Sequence, residues 1–472
     1  MATKCTGREL LFQGPGRRII RADFDGGDIT SDGGVLLLQE AEERAKVIEQ
    51  FAHCFDDHRD PARVEHTVLD LLAQRVFGIA LGYEDLNDHD ELRFDPLLAT
   101  AVGKTDPKGL KRSRARDRGA SLATSSTLNR VELSRPDDAA SHRYKRVVLR
   151  EEFVDQVLLD VFVQSFDEPP EEVVLDFDAT DDPLHGKQEG RFFHGYYGHY
   201  CYLPLYVFCG DHLLVARLRP SDIDGSAGTV EELERIVPAL REQWPDVRIV
   251  VRGDSGFCRE SIMAWCENHR VDYVFGLARN SRLVKRVSKT LARAKRKHAA
   301  TGRAARFFEE LRYRTQKSWS RERRVVAKAE HLDKGSNPRF VVTSFTRSRI
   351  GPKKLYEDVY CARGDMENRI KEQQLFCFAD RTSAQTMRAN QVRLYFSSIA
   401  YTLLAALRRI GLRGTDLARA QCNTIRTKLL KIGAIVRVTV RKVWVSLSRA
   451  CPYADIFRVA VANLRGPPLP AA

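Results

Sequence analysis

Val173-Val174-Leu175-Asp176-Phe177-Asp178-Ala179-Thr180-Asp181-Asp182 reads as a short buried strand that runs into a cluster of carboxylates. Strict alternation puts Val173, Leu175, Phe177 and Ala179 on one face, with Val174, Asp176, Asp178 and Thr180 on the other. A carboxylate at the end of a buried strand is costly to desolvate unless a cation or hydrogen bond compensates it. Alone, the stretch is equally an acidic strand-to-loop transition. A second strand of the same kind changes the balance.

That strand is residues 247–252, which end in Gly253-Asp254-Ser255-Gly256. Between the two lie a glycine- and aromatic-rich turn (190–198), apolar runs at 200–208 and 212–218 with hairpin spacing, and a helical pattern over 229–244. A helix over 259–269 and a strand over 273–277 follow. The order βββαβαβ is that of an α/β fold with a ribonuclease-H-like mixed sheet. In such a sheet the first and fourth strands are neighbours, so Asp178 and Asp254 emerge side by side. Asp176 shares a face with Asp178, and periodicity does not separate them.

Working outward, residues 1–34 are a polar, glycine-rich lead-in of paired turns. Residues 35–170 form an N-terminal helical region, expected to bind DNA, with helical patterns over 35–55, 66–82, 90–102, 121–133 and 146–166. His53, Cys54 and His58 lack the second ligand pair of a zinc site. A basic linker at 104–118 carries 7 Lys/Arg against 2 Asp. The catalytic domain takes 171–280 and 355–412, interrupted by a basic helix and β-rich insertion at 281–354. Residues 413–472 are a basic C-terminal region.

The 472 residues carry a formal charge of +14, which favours an anionic polymer as partner. Residues 281–330 alone hold 17 Lys/Arg against 4 Glu. Within them Arg293, Lys295, Arg296 and Lys297 are the densest run, suited to a phosphate backbone. No apolar run approaches a membrane span. Ten cysteines without a paired spacing, and no secretion signal, indicate reduced thiols in a cytoplasm.

The third acid comes from Tyr360-Cys361-Ala362-Arg363-Gly364-Asp365-Met366-Glu367-Asn368-Arg369-Ile370-Lys371. At about 100° per residue, Tyr360, Arg363, Glu367 and Lys371 share roughly an 80° arc of one helix. A carboxylate flanked by two cations and a phenol suits a phosphate drawn past a metal. The same spacing also describes an exposed charge ladder, worth about 0.3–0.5 kcal/mol per pair. Adjacent carboxylates repel unless hard cations lie between them, which selects Mg²⁺ or Mn²⁺, two ions for in-line phosphoryl transfer.

Asp178-Ala179-Thr180, Gly253-Asp254-Ser255-Gly256-Phe257 and the Tyr-x-x-Arg-x-x-x-Glu of Tyr360, Arg363 and Glu367 resemble the signatures of bacterial insertion-sequence DDE transposases. Asp178 through Gly186, with Gly195-Tyr196-Tyr197-Gly198, resembles insertion-sequence family 1380. The resemblance runs from Asp23 to about Arg409. It implies Asp178, Asp254 and Glu367 as catalytic metal ligands, and Tyr360 and Arg363 on DNA phosphate. It also implies cleavage at transposon terminal repeats with strand transfer into target DNA, in a homodimeric synaptic complex on the bacterial nucleoid. The related cut-and-paste signature has Lys seven residues after the Glu; here that position is Gln374, with Lys371 one turn after Glu367. The Asp-x-Thr pattern favours Asp178 over Asp176. Trp319, in the insertion, is either a stacking ring or a packed one.

Two other readings fit the same residues: a metal-dependent nuclease without strand transfer, and a non-catalytic DNA-binding protein of the same fold. Under all three the affinity for DNA falls with salt, with a log–log slope of about −0.9 per neutralised phosphate. Replacing Arg293, Lys295, Arg296 and Lys297 by Ala is expected to flatten that slope, as measured by fluorescence anisotropy on duplex DNA between low and physiological salt.

Overall fold

The computed structural model describes residues 10–137 and 142–466. They fall into two compact units interleaved along the chain, one from residues 10–43, 60–129 and 406–466, the other from residues 44–59, 130–137 and 142–405.

The larger unit is organised on a nine-stranded mixed sheet. Its strands are β1 (Glu172–Ala179), β2 (Leu205–Cys209), β3 (His212–Arg217), β4 (Arg248–Gly253), β5 (Asp272–Leu277), β6 (Ala305–Tyr313), β7 (Arg323–Leu332) and β8 (Arg339–Thr343). Their spatial order is β3-β2-β1-β4-β5-β8-β7-β6, with the short Gly335–Ser336 strand beside β7. β1, β4 and β5 are mutually parallel, and the remaining pairings are antiparallel. β-branched and aromatic residues, which suit a pleated half-buried surface, fill the three central strands.

Helices cover one face. Val173, Leu175 and Phe177 of β1 pack with Ile249, Val251, Tyr273 and Phe275, beneath helices α1 (Thr229–Gln243) and α2 (Glu260–Asn268). On the opposite face Val174, Val250, Val274, Val326 and Val341 pack against Leu355 and Tyr356. Each strand is therefore apolar on both sides, as in a parallel sheet covered on both faces. Helix α3 (Ser288–Thr301) sets Leu291 and Ala294 inward. α4 (Gly364–Cys377) and α5 (Met387–Ala406) follow the sheet. The α5 residue Gln391 donates to the Ala216 carbonyl and accepts from the Leu218 amide, locking α5 to the end of β3.

Several elements differ from the pattern-based expectation. Residues 146–166 do not form one helix: Val147–Leu149 is a strand paired with Phe55–Asp57, and the helix begins at Val154. Two consecutive valines take the extended form once a partner strand is present. The run 200–208 is two strands, because Pro204 has no N–H to continue the ladder; His199–Tyr202 belongs to a separate small sheet with Phe192–His194 and Asp182–Pro183. The strands of the 281–354 segment extend the large sheet through the β5–β8 pairing.

In the smaller unit Ala434–Val438 pairs with both Val443–Leu447 and Asp28–Thr30, so the two ends of the sequence build one sheet. Gly34 passes so close to the Leu429 carbonyl that an added Cβ would lie 1.9 Å from its oxygen. Helix Val68–Leu81 begins with a Thr67/Asp70 capping box and ends at Gly82, φ 101°. The 104–118 run belongs to this unit, and three of its cations are tied to acids: Lys104 to Asp70, Lys108 to Asp28 and Arg112 to Glu65. Among the described residues no helix is long and apolar enough to cross a membrane.

One buried ion pair fixes the centre of the large sheet. Arg252 lies opposite Asp176 in the parallel β1–β4 register, and its Nη2 donates to Asp176 Oδ2 at 2.6 Å. Both residues are under one-tenth exposed. Removing one partner of such a pair strands a charge, at a cost of about 3–5 kcal/mol. Asp176→Ala is expected to lose about that much stability, and Asp176→Ala with Arg252→Met distinctly less. Denaturant unfolding followed by Trp244 and Trp265 fluorescence reports the difference.

Candidate active site

The register that pairs Asp176 with Arg252 pairs Phe177 with Gly253. The next residue on each strand is Asp178 and Asp254, so both carboxylates leave the sheet at one edge. Asp254 caps the short 3-10 turn Ser255–Phe257, its Oδ1 accepting from the Gly256 N–H at 2.7 Å. Phe257 anchors that turn in the core, its ring 6.1 Å from that of Phe177.

Tyr360, Arg363 and Glu367 come from an irregular helix. Leu355–Tyr360 is wound as a π-helix and Cys361–Arg363 as a 3-10 turn, and α4 begins at Gly364. The even 100° spacing read from the sequence therefore fails before Gly364. Arg252 Nη1 donates to the Val359 carbonyl, drawing that carbonyl out of the helical ladder; π-turns of this kind concentrate at functional sites. Gly276 on β5 admits Tyr360. An added Cβ there would lie 2.6 Å from the phenol oxygen and 2.9 Å from the Ser255 amide. Nothing in the sequence marked Gly276, beyond its being a glycine within a strand.

Arg363 gathers the acids. Its Nη1 is 3.2 Å from Asp178 Oδ2, and its Nη2 donates to Glu367 Oε1 at 2.6 Å. Burial pushes the Asp178 carboxyl up to about 6; Arg363 opposes this, while Asp254 and Glu367 add to it. Burial also raises the Tyr360 phenol, opposed by Arg363 and reinforced by Asp254. Burial alone would lower Arg363, yet Asp178 and Glu367, followed by Tyr360 and Asp254, hold its pKa above the usual value. One guanidinium thus feels all three acids. Among the described residues no three acidic, histidine or cysteine side chains converge closely enough to form a metal cluster, since the guanidinium stands between Asp178 and Glu367. The donor set nonetheless fits a hard divalent cation: it offers only carboxylate oxygens, and burial with neighbouring carboxylates holds Asp178 above its normal range.

The other sequence candidates are spread more widely. Lys371 is exposed one turn beyond Glu367. On α3, Arg293 and Lys297 lie over the Phe307 ring, at 4.1 and 5.4 Å, while Lys295 and Arg296 are exposed. Trp319 is a packed ring, 4% exposed and edge-on to Tyr313. Gln374 donates to Asp182 Oδ1 at 2.8 Å and to the Asp181 carbonyl, tying the segment after β1 to α4. Asp182 is fully buried, and burial pushes its carboxyl up to about 8.

Paired strand-end aspartates, a helical glutamate and an arginine–tyrosine pair are thus brought to one end of the sheet. The family model described as "Transposase DDE domain group 1" matches residues 12–468, and the chain belongs to that family. It is a DDE transposase, an enzyme of DNA transposition that binds DNA and uses a divalent metal. No curated protein matches the sequence. Among solved structures it is similar to one described as "Cryo-EM structure of piggyBac transposase synaptic complex with hairpin DNA (SNHP)", at 11% identity and a TM-score of 0.39, covering 85% of this chain and 80% of that one.

Asp182 gives the fold a pH dependence of defined sign. Its folded pKa of about 8 lies above the ordinary aspartate value near 4. Between those values the folded chain keeps a proton that the unfolded chain has released. Stability therefore falls as pH rises through the window, by up to about 1.4 kcal/mol per pH unit. Asp178, at about 6, contributes only to the lower half. Asp182→Asn is expected to flatten the loss between pH 6 and 8, read as melting temperature against pH.

Proposed function

We propose that Asp178, Asp254 and Glu367 are the metal-binding acids of this transposase, and that the large sheet is ribonuclease-H-like. The strand order β3-β2-β1-β4-β5, with β1 antiparallel to β2 and parallel to β4, supports the second statement. The single observation that carries the first is the Arg363 guanidinium shared by Asp178 and Glu367 beside the Asp254 turn. A site that gathers three acids around one side-chain cation is built to hold positive charge.

The divalent ions are two Mg²⁺ or Mn²⁺. Asp178, Asp254 and Glu367 would hold them, and the metal would supply activation of a water or 3′-hydroxyl and charge stabilisation of the leaving oxygen. Arg363 is the counter-ion of Asp178 and Glu367 and the contact to the DNA phosphate. Its planar fork suits either partner. Tyr360, held against the Asp254 turn, lines the phosphate path. Lys371 and the exposed cations of α3, Arg293, Lys295, Arg296 and Lys297, grip the backbone further along. The helical segments within 35–170 and the basic run at 104–118 hold the transposon end, and 413–472 adds positive charge. Asp176 is excluded from the metal set, because its carboxylate is committed to Arg252.

The substrates are the terminal repeats of an element of insertion-sequence family 1380 and its target DNA on the bacterial nucleoid, acted on by a homodimer in the synaptic complex. Cleavage of a terminal-repeat duplex with Mg²⁺ is expected from the unaltered chain. Asp178→Ala, Asp254→Ala and Glu367→Ala should each reduce it by at least about a thousandfold with DNA binding retained. Joined products in the same assay separate transposition from simple nuclease action. Retained Mg²⁺-dependent cleavage in all three variants would overturn the assignment.

A further inference from the structure

The hairpin formed by Phe192–His194 and His199–Tyr202 stands beside the acids, and the chemistry above makes no use of it. Its composition is unusual. From His185 to Tyr200 there is no Leu, Ile, Val or Met; the apolar surface is five Phe and Tyr rings, interspersed with three histidines, Lys187 and Arg191. The rings are not packed away: Tyr196 is 87% exposed, Phe193 58%, Tyr200 43% and Phe192 42%.

The hairpin is nonetheless held in place. Ser221 donates to the Phe192 carbonyl, the Tyr202 hydroxyl donates to the Glu189 carbonyl, and Asp182 pairs with Tyr202 in the small sheet. His199 Nε2 lies 2.7 Å from Asp181 Oδ2, three residues beyond Asp178. Burial pushes the Tyr197 phenol up to about 12, with Asp181 and then Asp178 adding, so the hairpin lies within the field of the acid site. Phe193 and Tyr200 meet edge to face at 5.6 Å, and Arg191 lies over Tyr200 at 4.6 Å. These are exposed π faces, one with a guanidinium over it, next to a site whose substrate is a polyanion.

We propose that this hairpin is a stacking platform for unpaired nucleotides of the DNA strand at the acid site, with Phe193 and Tyr196 as the principal rings. Single-stranded DNA is recognised by such a pairing of aromatic faces with cations, because every base offers a π face and every linkage a charge. The platform would hold the strand exposed when a transposon end is opened. The proposal rests on the acid-site reading for its location, but its test does not depend on cleavage.

The test uses the full chain without divalent metal, with two probes: a twenty-nucleotide oligo-dT strand and a 20-bp duplex. Phe193→Ala/Tyr196→Ala is expected to bind the single strand at least about tenfold more weakly and the duplex within about twofold of the unaltered chain. Phe193→Leu/Tyr196→Leu, which keeps apolar area without π faces, should lose the same. Tyr196→Trp should bind normally and add, to the emission of the four native tryptophans, a component that oligo-dT quenches. Unchanged oligo-dT affinity in both double variants overturns the proposal. So does rescue by leucine, and so does an equal loss on duplex. A drop in molar mass of the double variants by light scattering, without loss of oligo-dT binding, makes the hairpin a contact between copies and also overturns it. Ring-dependent oligo-dT binding with no metal-dependent cleavage leaves the platform standing and removes the acid-site reading; the converse removes the platform alone.

Discussion

The site depends on one buried ion pair. Arg252 and Asp176 lie opposite each other in the parallel β1–β4 register, out of water on both sides. A charge in that position is tolerated only when paired and hydrogen-bonded, so the register cannot slip by one residue without stranding both ions and turning Phe177 out of the core. With the register set, Asp178 and Asp254 leave the sheet together. The same guanidinium takes the Val359 carbonyl, which joins the sheet to the irregular turn that delivers Tyr360, Arg363 and Glu367. A pair with no chemical role thus aligns the three elements that have one.

Around the acids the electrostatics are deliberately unbalanced. Burial and neighbouring carboxylates raise Asp178, and a single arginine offsets them. An arginine is a reversible counter-ion, since its guanidinium serves a carboxylate and a phosphodiester equally well. Arg363 bridges Asp178 and Glu367 and so offsets their charge at the end of the sheet. Gln374 serves the same region from behind: it binds the Asp181 carbonyl and the Asp182 carboxyl, and so holds the chain after β1 against α4. At the position where the related signature carries a lysine, this chain has an amide that accommodates a protonated aspartate.

The large sheet shows how insertion and core combine. The segment after β5 adds strands to the sheet through β8 and shields its edge, while its basic helix α3 keeps Leu291 and Ala294 inside and its cations in water. The positive charge read from composition is therefore carried by a rigid scaffold. Trp319 follows the same logic: within the insertion it is a packing residue between Tyr313 and Arg323. Four exposed rings of the larger unit, Phe192, Phe193, Tyr196 and Tyr200, lie instead at the hairpin Phe192–Tyr202.

The amino-acid sequence by itself determined the alternating pattern of β1, the acid-terminated strand at 248–253 and the βββαβαβ order. These are legible because periodicity, turn residues and short motifs are local, and local physics sets them. It also located the concentration of positive charge. The Asp-x-Thr pattern favoured Asp178 over Asp176, but only the tertiary structure showed that Asp176 is paired with Arg252 across the strand. Only it found Gly276, the π-turn before Arg363, the role of Gln374 and the break at Pro204, since each depends on what approaches from a distant part of the chain. Long-range register and close approach have no signature in a linear pattern, and here they commit Asp176 to Arg252 and bring Asp178 to Arg363.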